Sequence, residues 1–327
     1  MTTTRYAADF ASKVGRYWTP ERLGTLCGGK DFPLSPDKPG AATLLRVIGL
    51  MGADGKIGSE VVRKFTQINK LVLEIESALS VHTQRATPRP VRIVEYAAGQ
   101  SHLSLLLAFA ATNRWKRPAH ILAVDRDPKR LAKAGERVHT LGFSHMVQHR
   151  TCAIDELRDW PTEYADGFPS AADTGPPHCA VALHACDTAS DLALVQALRS
   201  KAMVIAVAPC CHAELARKWA VLAQDTDGPR HPLRLIHWMP NLRIETAAHV
   251  TDAMRIAVLR ANGYTVAASE FVAPEHTPKN RLIVATRLQS GTPAAAAVRR
   301  SGAEEYAALK HATGGEGISL EGLLGRR

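Results

Sequence analysis

The stretch VRIVEYAAGQSHLSLLLAFA (residues 91–110) decides the fold of this chain. It begins with a short, β-rich apolar run, passes through a turn of small residues at 97–101 and continues as an apolar helical run. A strand that ends in an acid, followed by a small-residue turn and a helix, lets backbone N–H groups approach a nucleotide-like ligand closely. The stretch therefore predicts a strand–turn–helix unit with a ligand site at its turn.

The same alternation of strand and helix continues along the chain. Strands are predicted at VRIVEYA (91–97), HILAVDRD (120–127), HMVQHRT (145–151), CAVALHACD (179–187), MVIAVAPCC (203–211), YTVAASEFVA (264–273) and RLIVATRL (281–288). Helical runs separate most of them, which predicts an α/β fold with a seven-stranded, mainly parallel, doubly wound sheet. No helical run separates the last two strands, so the sheet is expected to end in a β-hairpin.

Amino-acid composition and local sequence pattern suggest three regions. Residues 1–80 read as a mostly helical accessory cap, 81–290 as the ligand-binding domain and 291–327 as a flexible Ala- and Gly-rich tail. The 46% hydrophobic content is enough for a full core. We expect a cytoplasmic protein with reduced cysteines and no membrane partner, because no apolar run of about eighteen residues, signal peptide or disulfide spacing is found.

The formal net charge of +10 favours polyanionic partners such as nucleic acid. Such charge is also common on ordinary solvated surfaces, so charge alone leaves the partner open. Basic residues are spread over positions 114–137 and comprise Arg114, Lys116, Arg117, Arg126, Lys129, Arg130, Lys133 and Arg137.

The ends of the first two strands carry the predicted cofactor contacts. Glu95 ends the first strand, and the turn after it contains Ala97, Gly99 and Ser101. Asp125 ends the second strand, where an acid can accept hydrogen bonds from both ribose hydroxyls of an adenosine. The turn does not match the G-x-G-x-x-G pattern, which disfavours a dinucleotide such as NAD.

Five blocks resemble a known family in the same order: KFTQIN (64–69), VEYAAGQSHLS (94–104), ALHACDTASD (182–191), VIAVAPCCH (204–212) and EHTPKN (275–280). They are similar to class I S-adenosylmethionine-dependent methyltransferases that carry K-x-x-Q-I-N, L-H-A-C, A-P-C-C-H and E-H-T-P-K-N motifs, mostly without an assigned substrate. Related animal methyltransferase-like proteins share the HAC and PCC blocks. The resemblance implies a Rossmann-like sheet and S-adenosyl-L-methionine as cofactor.

The resemblance also implies further site residues. On the cofactor side these are Lys64, Gln67, His102, Arg126, Ile154 and Asp155. On the acceptor side they are Pro209, Cys210, Cys211, His276, Lys279 and Asn280. The family carries glycine where this chain has Ala97 and Ser101, so we expect either a tighter pocket or a different backbone path at the turn.

HACD (184–187) and APCCH (208–212) end neighbouring strands and allow three interpretations. A metal site is disfavoured because adjacent cysteines seldom both bind one tetrahedral ion. A nucleophilic cysteine would suit methylation at C5 of a pyrimidine. We favour a third interpretation, in which the cysteines pack and no metal is bound.

The same two blocks contain the candidate general bases. His184, Asp187 and His212 are the candidate bases, although each could be structural. RNA is the acceptor class that we favour. A small molecule, a protein side chain, or a non-catalytic binding role on the same fold remain alternatives, and the oligomeric state is not predicted.

Overall fold

The computed structural model describes residues 2–83, 90–157, 175–183, 185, 188–209, 212–224, 231–270 and 281–325 of the 327-residue chain. The predicted site residues His184, Asp187, Cys210, Cys211, His276, Lys279 and Asn280 lie outside them.

The sheet has seven strands in the order β3-β2-β1-β4-β5-β7-β6. The strands are β1 (Val91–Tyr96), β2 (Ala119–Asp125), β3 (Val147–Thr151), β4 (Cys179–Leu183), β5 (Val204–Ala208), β6 (Tyr264–Glu270) and β7 (Arg281–Arg287). The first five pair in parallel, β7 is antiparallel to β5, and β6 is antiparallel to β7. This order confirms the predicted α/β sheet and its terminal β-hairpin.

The parallel strands end together at one edge of the sheet, called here the carboxyl edge. Glu95 of β1 lies opposite Ala123 of β2, two residues before Asp125, and Leu183 of β4 lies opposite Ala208 of β5. Every residue of β1 and β5 is buried, as expected for central strands that are covered on both faces by helices. The polar groups that follow these strands therefore emerge at the same edge.

The described residues form twelve α-helices, which cover both faces of the sheet. They are α1 (Thr2–Tyr17), α2 (Pro20–Cys27), α3 (Ala41–Val47), α4 (Ser59–Thr83), α5 (His102–Ala110), α6 (Pro128–Thr140), α7 (Thr188–Arg199), α8 (Ala213–Leu222), α9 (Arg234–Trp238), α10 (Pro240–Ala261), α11 (Pro293–Ala312) and α12 (Ser319–Gly325). A π-helical turn, Ala111–Trp115, extends α5, and a 3-10 turn, Ile154–Glu156, follows β3. Helices α2, α3 and α9, which are only five to eight residues long, were not predicted from the sequence.

Helix α6 shows how local sequence begins these helices. Asp127 caps it by accepting hydrogen bonds from the N–H groups of Lys129 and Arg130, and Pro128 occupies the first helical position. Proline is suited to this position because its missing N–H would have no helical partner there. The capping residue lies two residues after Asp125, so α6 begins directly at the carboxyl edge.

The predicted N-terminal cap packs directly onto the sheet. Phe65, Leu71 and Ile75 of α4 are buried and belong to the same hydrophobic cluster as Ile93 of β1 and Leu105 of α5. Full burial of side chains of this size contributes about 1.5–3 kcal/mol each. Helix α4 is therefore held against the turn that follows β1, and its KFTQIN block reaches the carboxyl edge.

The C-terminal segment differs from the flexible tail predicted from its Ala- and Gly-rich sequence. Alanine favours helix strongly, and residues 293–312 form the twenty-residue helix α11. An added Cβ at Gly302 would lie 2.4 Å from the backbone nitrogen of Ala261, so this glycine allows α11 to approach α10 closely. Ile318 and Leu320 are buried in the core. None of the described helices combines the length and apolar character needed to cross a membrane.

Candidate functional site

The turn at residues 97–101 has three residues in the left-handed conformation. Ala97, Gly99 and Ser101 have φ values of 54°, 56° and 52°. This region costs a non-glycine residue about 1–2 kcal/mol. The chain thus accommodates the two missing glycines with left-handed alanine and serine residues. Ser101 also forms a hydrogen bond with His149 of β3 (Oγ···Nε2 3.0 Å), which partly offsets its strain.

Glu95 is buried at the end of β1 and is held by the first turn of α5. One carboxylate oxygen accepts hydrogen bonds from the backbone N–H of Ser104 (2.9 Å) and from its hydroxyl. Burial raises the pKa of Glu95 to about 7, although the Ser104 hydrogen bonds oppose this change. Near neutral pH this carboxyl group can therefore gain or lose a proton.

Asp125 ties the end of β2 to the turn. Its Oδ2 accepts a hydrogen bond from the Gly99 N–H (2.7 Å), and its Oδ1 accepts one from the Asp127 N–H (2.9 Å). A carboxylate offers about four acceptor positions, so each oxygen retains capacity for another donor. Asp125 can therefore fix the turn and bind hydroxyl groups at the same time.

A cavity of about 180 Å³ opens beside this turn, between α4, α5 and the end of β1. It brings together four predicted cofactor residues, Lys64, Gln67, Glu95 and His102. Its other lining residues are Ile68, Leu71, Ala98, Gln100, Leu103, Leu106 and Leu183. Ala98 belongs to the turn that was predicted to line the site, whereas the leucine and isoleucine side chains on α4 and α5 fit an apolar helix face and resemble ordinary core residues in the sequence.

His102 begins α5 and lines this cavity. Burial lowers its pKa to about 4, and the nearby charges of Arg137 and Lys64 lower it further. A neutral imidazole can accept a hydrogen bond, and Arg137 Nη1 lies 3.1 Å from its Nε2. Arg137 also donates to the side-chain oxygen of Gln100. The cavity wall is thus fixed by a cation that contacts both residues.

Four further predicted cofactor residues lie at the ends of β2 and β3 and do not line this cavity. Arg126 and Asp155 are exposed, whereas Ile154 is buried in the second hydrophobic cluster. With Asp125 they follow adjacent strands, because β2 pairs with β3 up to Asp125 and Thr151. The predicted set therefore divides into a cavity group, the left-handed turn residues and a group along the ends of β2 and β3.

A larger cavity, of about 1000 Å³, lies in the N-terminal region. Its lining includes Phe10, Val14 and Trp18 from the first helical segment and Arg46 from α3. It contains none of the predicted site residues. Volume alone therefore does not identify the functional site in this chain.

Among the predicted acceptor-side residues and candidate bases, Pro209 and His212 are the two that lie within the described residues. Pro209 is buried directly after β5, and His212 precedes α8. The His212 Nε2 lies 2.8 Å from Oδ1 of Asp252 on α10. Because β5 is two strands from β1, it lies about 10 Å across the sheet from the turn.

Asp252 is the centre of a buried ionic cluster, called here the Asp252 network. Its Oδ1 also lies 3.3 Å from Arg255 Nη1, and its Oδ2 accepts from Arg281 Nη1 at 2.7 Å. Arg255 Nε donates to Asp191 Oδ1 at 2.7 Å. Burial alone would raise the pKa of Asp252, but the His212 hydrogen bond and the two arginines outweigh it and hold that pKa below its ordinary value.

The four charged residues of the Asp252 network were not predicted as site residues; they are Asp191, Asp252, Arg255 and Arg281. Asp191 ends the ALHACDTASD block and Arg281 directly follows EHTPKN, so the blocks gave a partial signal. Asp252 and Arg255 lie three residues apart on α10 and are buried, which is unusual for charged residues without partners. Within the described residues no group of three His, Cys, Asp or Glu side chains could hold a metal ion.

Comparison with protein families gives one match. Residues 63–218, slightly less than half of the chain, match a family model described as a methyltransferase domain. This segment includes α4, the left-handed turn, β1 to β5 and His212. The central part of the chain is therefore similar to a methyltransferase domain.

The chain is also similar to parts of two longer curated animal proteins. It is 26% identical to a glutathione S-transferase C-terminal domain-containing protein homolog of Drosophila melanogaster, over 59% of this chain and 32% of that protein. It is 30% identical to a glutathione S-transferase C-terminal domain-containing protein of Xenopus laevis, over 49% of this chain and 21% of that protein. The matches thus span between a fifth and a third of the relatives' lengths.

Solved structures with similar folds include two methyltransferases. The O-methyltransferase TomG of Streptomyces achromogenes, in complex with SAM, is 15% identical and covers 88% of this chain and 100% of its own, with a TM-score of 0.40. A Streptococcus thermophilus rRNA methylase is 12% identical and covers 67% of this chain and 97% of its own, with a TM-score of 0.38. Both scores are low, so the fold assignment rests on the strand order itself.

Proposed function

We propose that this protein transfers a methyl group from S-adenosyl-L-methionine to RNA. One observation carries the proposal: the left-handed turn after β1, bound by Asp125 from the end of β2, adjoins a cavity with a cationic residue from α4. The family match over residues 63–218 supports the reaction type.

The residues at the turn fit the proposed cofactor. An added Cβ at Gly99 would meet no atom within 4 Å, so open space lies next to this backbone position. Lys64 lines the cavity and forms no ion pair with any described residue, which leaves its charge available for a carboxylate. The unused lone pairs of Asp125 suit ribose hydroxyls. We assign methionine-group recognition to the Lys64 side and ribose recognition to Asp125.

The chain's own residues would orient the acceptor and remove its proton. When bound, S-adenosyl-L-methionine supplies an electrophilic methyl group on a sulfonium centre. An acceptor oxygen or nitrogen that carries hydrogen loses a proton as its bond to the methyl group forms. His212 is the described candidate for this proton acceptor, and His184 and Asp187 remain candidates predicted from the sequence. Holding the acceptor close and aligned contributes most of the rate.

Surface charge supports RNA as the acceptor. Arg126, Lys129, Arg130 and Lys133 are exposed and lie at the end of β2 and on the first two turns of α6. Asp127 pairs with Arg130, but the other three cations form no ion pair with a described residue. A polyanion that contacts this surface would pass beside the carboxyl edge. The chain's net charge of +10 favours the same class of partner.

Two measurements test the proposal. Calorimetry should detect binding of S-adenosylhomocysteine and no binding of NAD, and the reverse result would indicate a dinucleotide enzyme. Tritiated methyl transfer into fractionated cell RNA, protein and small molecules should label RNA. Labelling confined to protein or to small molecules would show that RNA is not the acceptor. Cofactor binding without labelling of any fraction would favour a non-catalytic role.

A further inference from the structure

His212 occupies the N-cap of α8 but does not cap that helix with its side chain. An N-cap side chain usually accepts a hydrogen bond from the first turn. The His212 ring instead contacts Asp252, with 2.8 Å between Nε2 and Oδ1, and the side chain is 12% exposed. The ring is thus held by a residue forty positions later rather than by its own helix.

Asp252 is itself fixed in position. It is 2% exposed, and its two oxygens contact Arg255 and Arg281 in addition to His212. Arg255 is 1% exposed and is bound in turn by Asp191 from the first turn of α7. The Asp252 network therefore joins the starts of α7, α8 and β7 to the middle of α10. A carboxylate held from several sides cannot reorient without breaking buried ion pairs.

This contact decides which nitrogen of His212 carries hydrogen. A carboxylate only accepts, so the Nε2 atom that faces Asp252 must donate. In the neutral imidazole, Nδ1 then holds the lone pair. Nδ1 has no hydrogen-bond partner among the residues that the structure describes. The free acceptor atom of this pair is therefore Nδ1.

We propose that Asp252 is a positioning residue that holds His212 in the Nε2–H tautomer, so that Nδ1 takes the proton from the methyl acceptor. The proposal rests on the proposed function. As the bond between acceptor and methyl group forms, the bond between sulfur and methyl group breaks and its electron pair stays on sulfur. The acceptor's proton moves to Nδ1, and Asp252 stabilises the resulting imidazolium.

The charged groups around the pair are consistent with this role. Asp191 and Asp252 provide two negative charges, and Arg255 and Arg281 provide two positive charges. Arg281 Nη2 also lies 2.7 Å from His249 Nδ1. The pair of His212 and Asp252 is therefore surrounded by charges of both signs.

Imidazole nitrogen NMR tests the tautomer directly. Protein labelled with ¹⁵N-histidine is compared with a His212→Asn variant to assign the signals. The parent should show His212 mainly as the Nε2–H form. In Asp252→Asn, the amide NH₂ group can face His212 and donate a hydrogen bond to Nε2. The population of the Nδ1–H tautomer should therefore rise about tenfold, which is the population ratio that the energy of one charge-assisted hydrogen bond maintains.

The matched control is Glu245→Gln, which removes an exposed carboxylate from the same helix and should leave the His212 signals unchanged. A hydrogen on Nδ1 in the parent overturns the proposal even where Asp252→Asn fails to fold. An unchanged tautomer ratio in a folded Asp252→Asn protein also overturns it.

S-adenosylhomocysteine binding separates this proposal from the proposed function. Asp252→Asn should bind it within about twofold of the parent, because His212, the residue that Asp252 holds, follows β5, two strands away from the left-handed turn. Failure of the parent to bind would overturn the proposed function, and the base role of His212 with it. A wrong tautomer with normal binding would overturn only the role of Asp252.

Discussion

The two halves of the carboxyl edge are held in place by different means. At the left-handed turn, backbone conformation dominates: three residues have positive φ, and the Asp125 carboxylate binds backbone N–H groups. At the Asp252 network, side chains dominate: three buried charges on two helices and the partly exposed Arg281 at the start of β7 surround one imidazole. In the proposed function the first half binds the cofactor, whereas the second holds the general base.

This difference predicts where each half is vulnerable. A strained turn tolerates changes that relax its backbone, because its hydrogen bonds come from the main chain. A buried ionic network does not tolerate removal of one member, because the remaining charges lose their partner in a low-dielectric interior. Substitutions in the two halves should therefore differ in size, and in some cases in sign.

The largest effect is expected from Asp252→Ala. It leaves Arg255 and His212 without their shared carboxylate, and breaking a buried pair typically costs about 3–5 kcal/mol. Urea unfolding should show this loss in the free energy of unfolding. The exposed Glu245→Ala on the same helix should change it by about 0.5 kcal/mol or less. Equal decreases in the free energy of unfolding of both variants would mean that the Asp252 network does not stabilise the fold more than an exposed carboxylate does.

Glu95→Gln should change how stability depends on pH. The pKa of Glu95 is raised to about 7 in the folded protein, against an ordinary value of 4.5. Between these values the unfolded chain has lost a proton that the folded protein keeps, so the parent loses stability as pH rises. The glutamine cannot titrate in this range. The free energy of unfolding of the variant, relative to that of the parent, should therefore rise by about 3 kcal/mol between pH 4.5 and pH 8.

Urea unfolding at several pH values measures this change, with the exposed Glu136→Gln as the control. A constant difference between parent and Glu95→Gln across the whole range would show that Glu95 is not buried as a protonated group.

Asp125→Ala tests the ligand role of the turn half. The variant removes acceptors for the Gly99 and Asp127 N–H groups, and for ribose hydroxyls if the cofactor assignment holds. Hydrogen bonds to a charged acceptor contribute about 1.5–3 kcal/mol, so S-adenosylhomocysteine should bind at least about tenfold more weakly. Calorimetry measures this, and undiminished affinity would mean that the ribose site lies elsewhere.

The smallest effect, and one of opposite sign, is expected from Ala97→Gly. Glycine relieves the left-handed strain at φ 54°, which should stabilise the protein by up to about 1 kcal/mol after the greater entropy of the unfolded chain is included. Ser101→Gly relieves similar strain but loses the hydrogen bond to His149, so its net effect should be near zero. A loss of stability in Ala97→Gly would contradict a strained turn.

The sequence predicted where the turn residues lie in the fold but not the contacts of the Asp252 network, for a physical reason. Glu95 and Asp125 end apolar strands, and strand ends in a parallel sheet meet at one edge, so local pattern was enough. Asp252 meets residues at positions 191, 212 and 281, and no local pattern reports contacts between such distant positions. The Ala- and Gly-rich C-terminal sequence predicted a mobile segment with at most one or two loose helices, whereas its two helices pack on the core, partly because alanine favours helix.

The placement of β7 between β5 and β6 affects how this protein can be shortened. The family match ends at residue 218, before both of the last strands. A fragment cut there would uncover the apolar β5, whose unpaired N–H and C=O groups could pair with other chains and promote aggregation. It would also keep His212 and discard Asp252. The smallest unit worth expressing is therefore set by strand pairing and extends through β7.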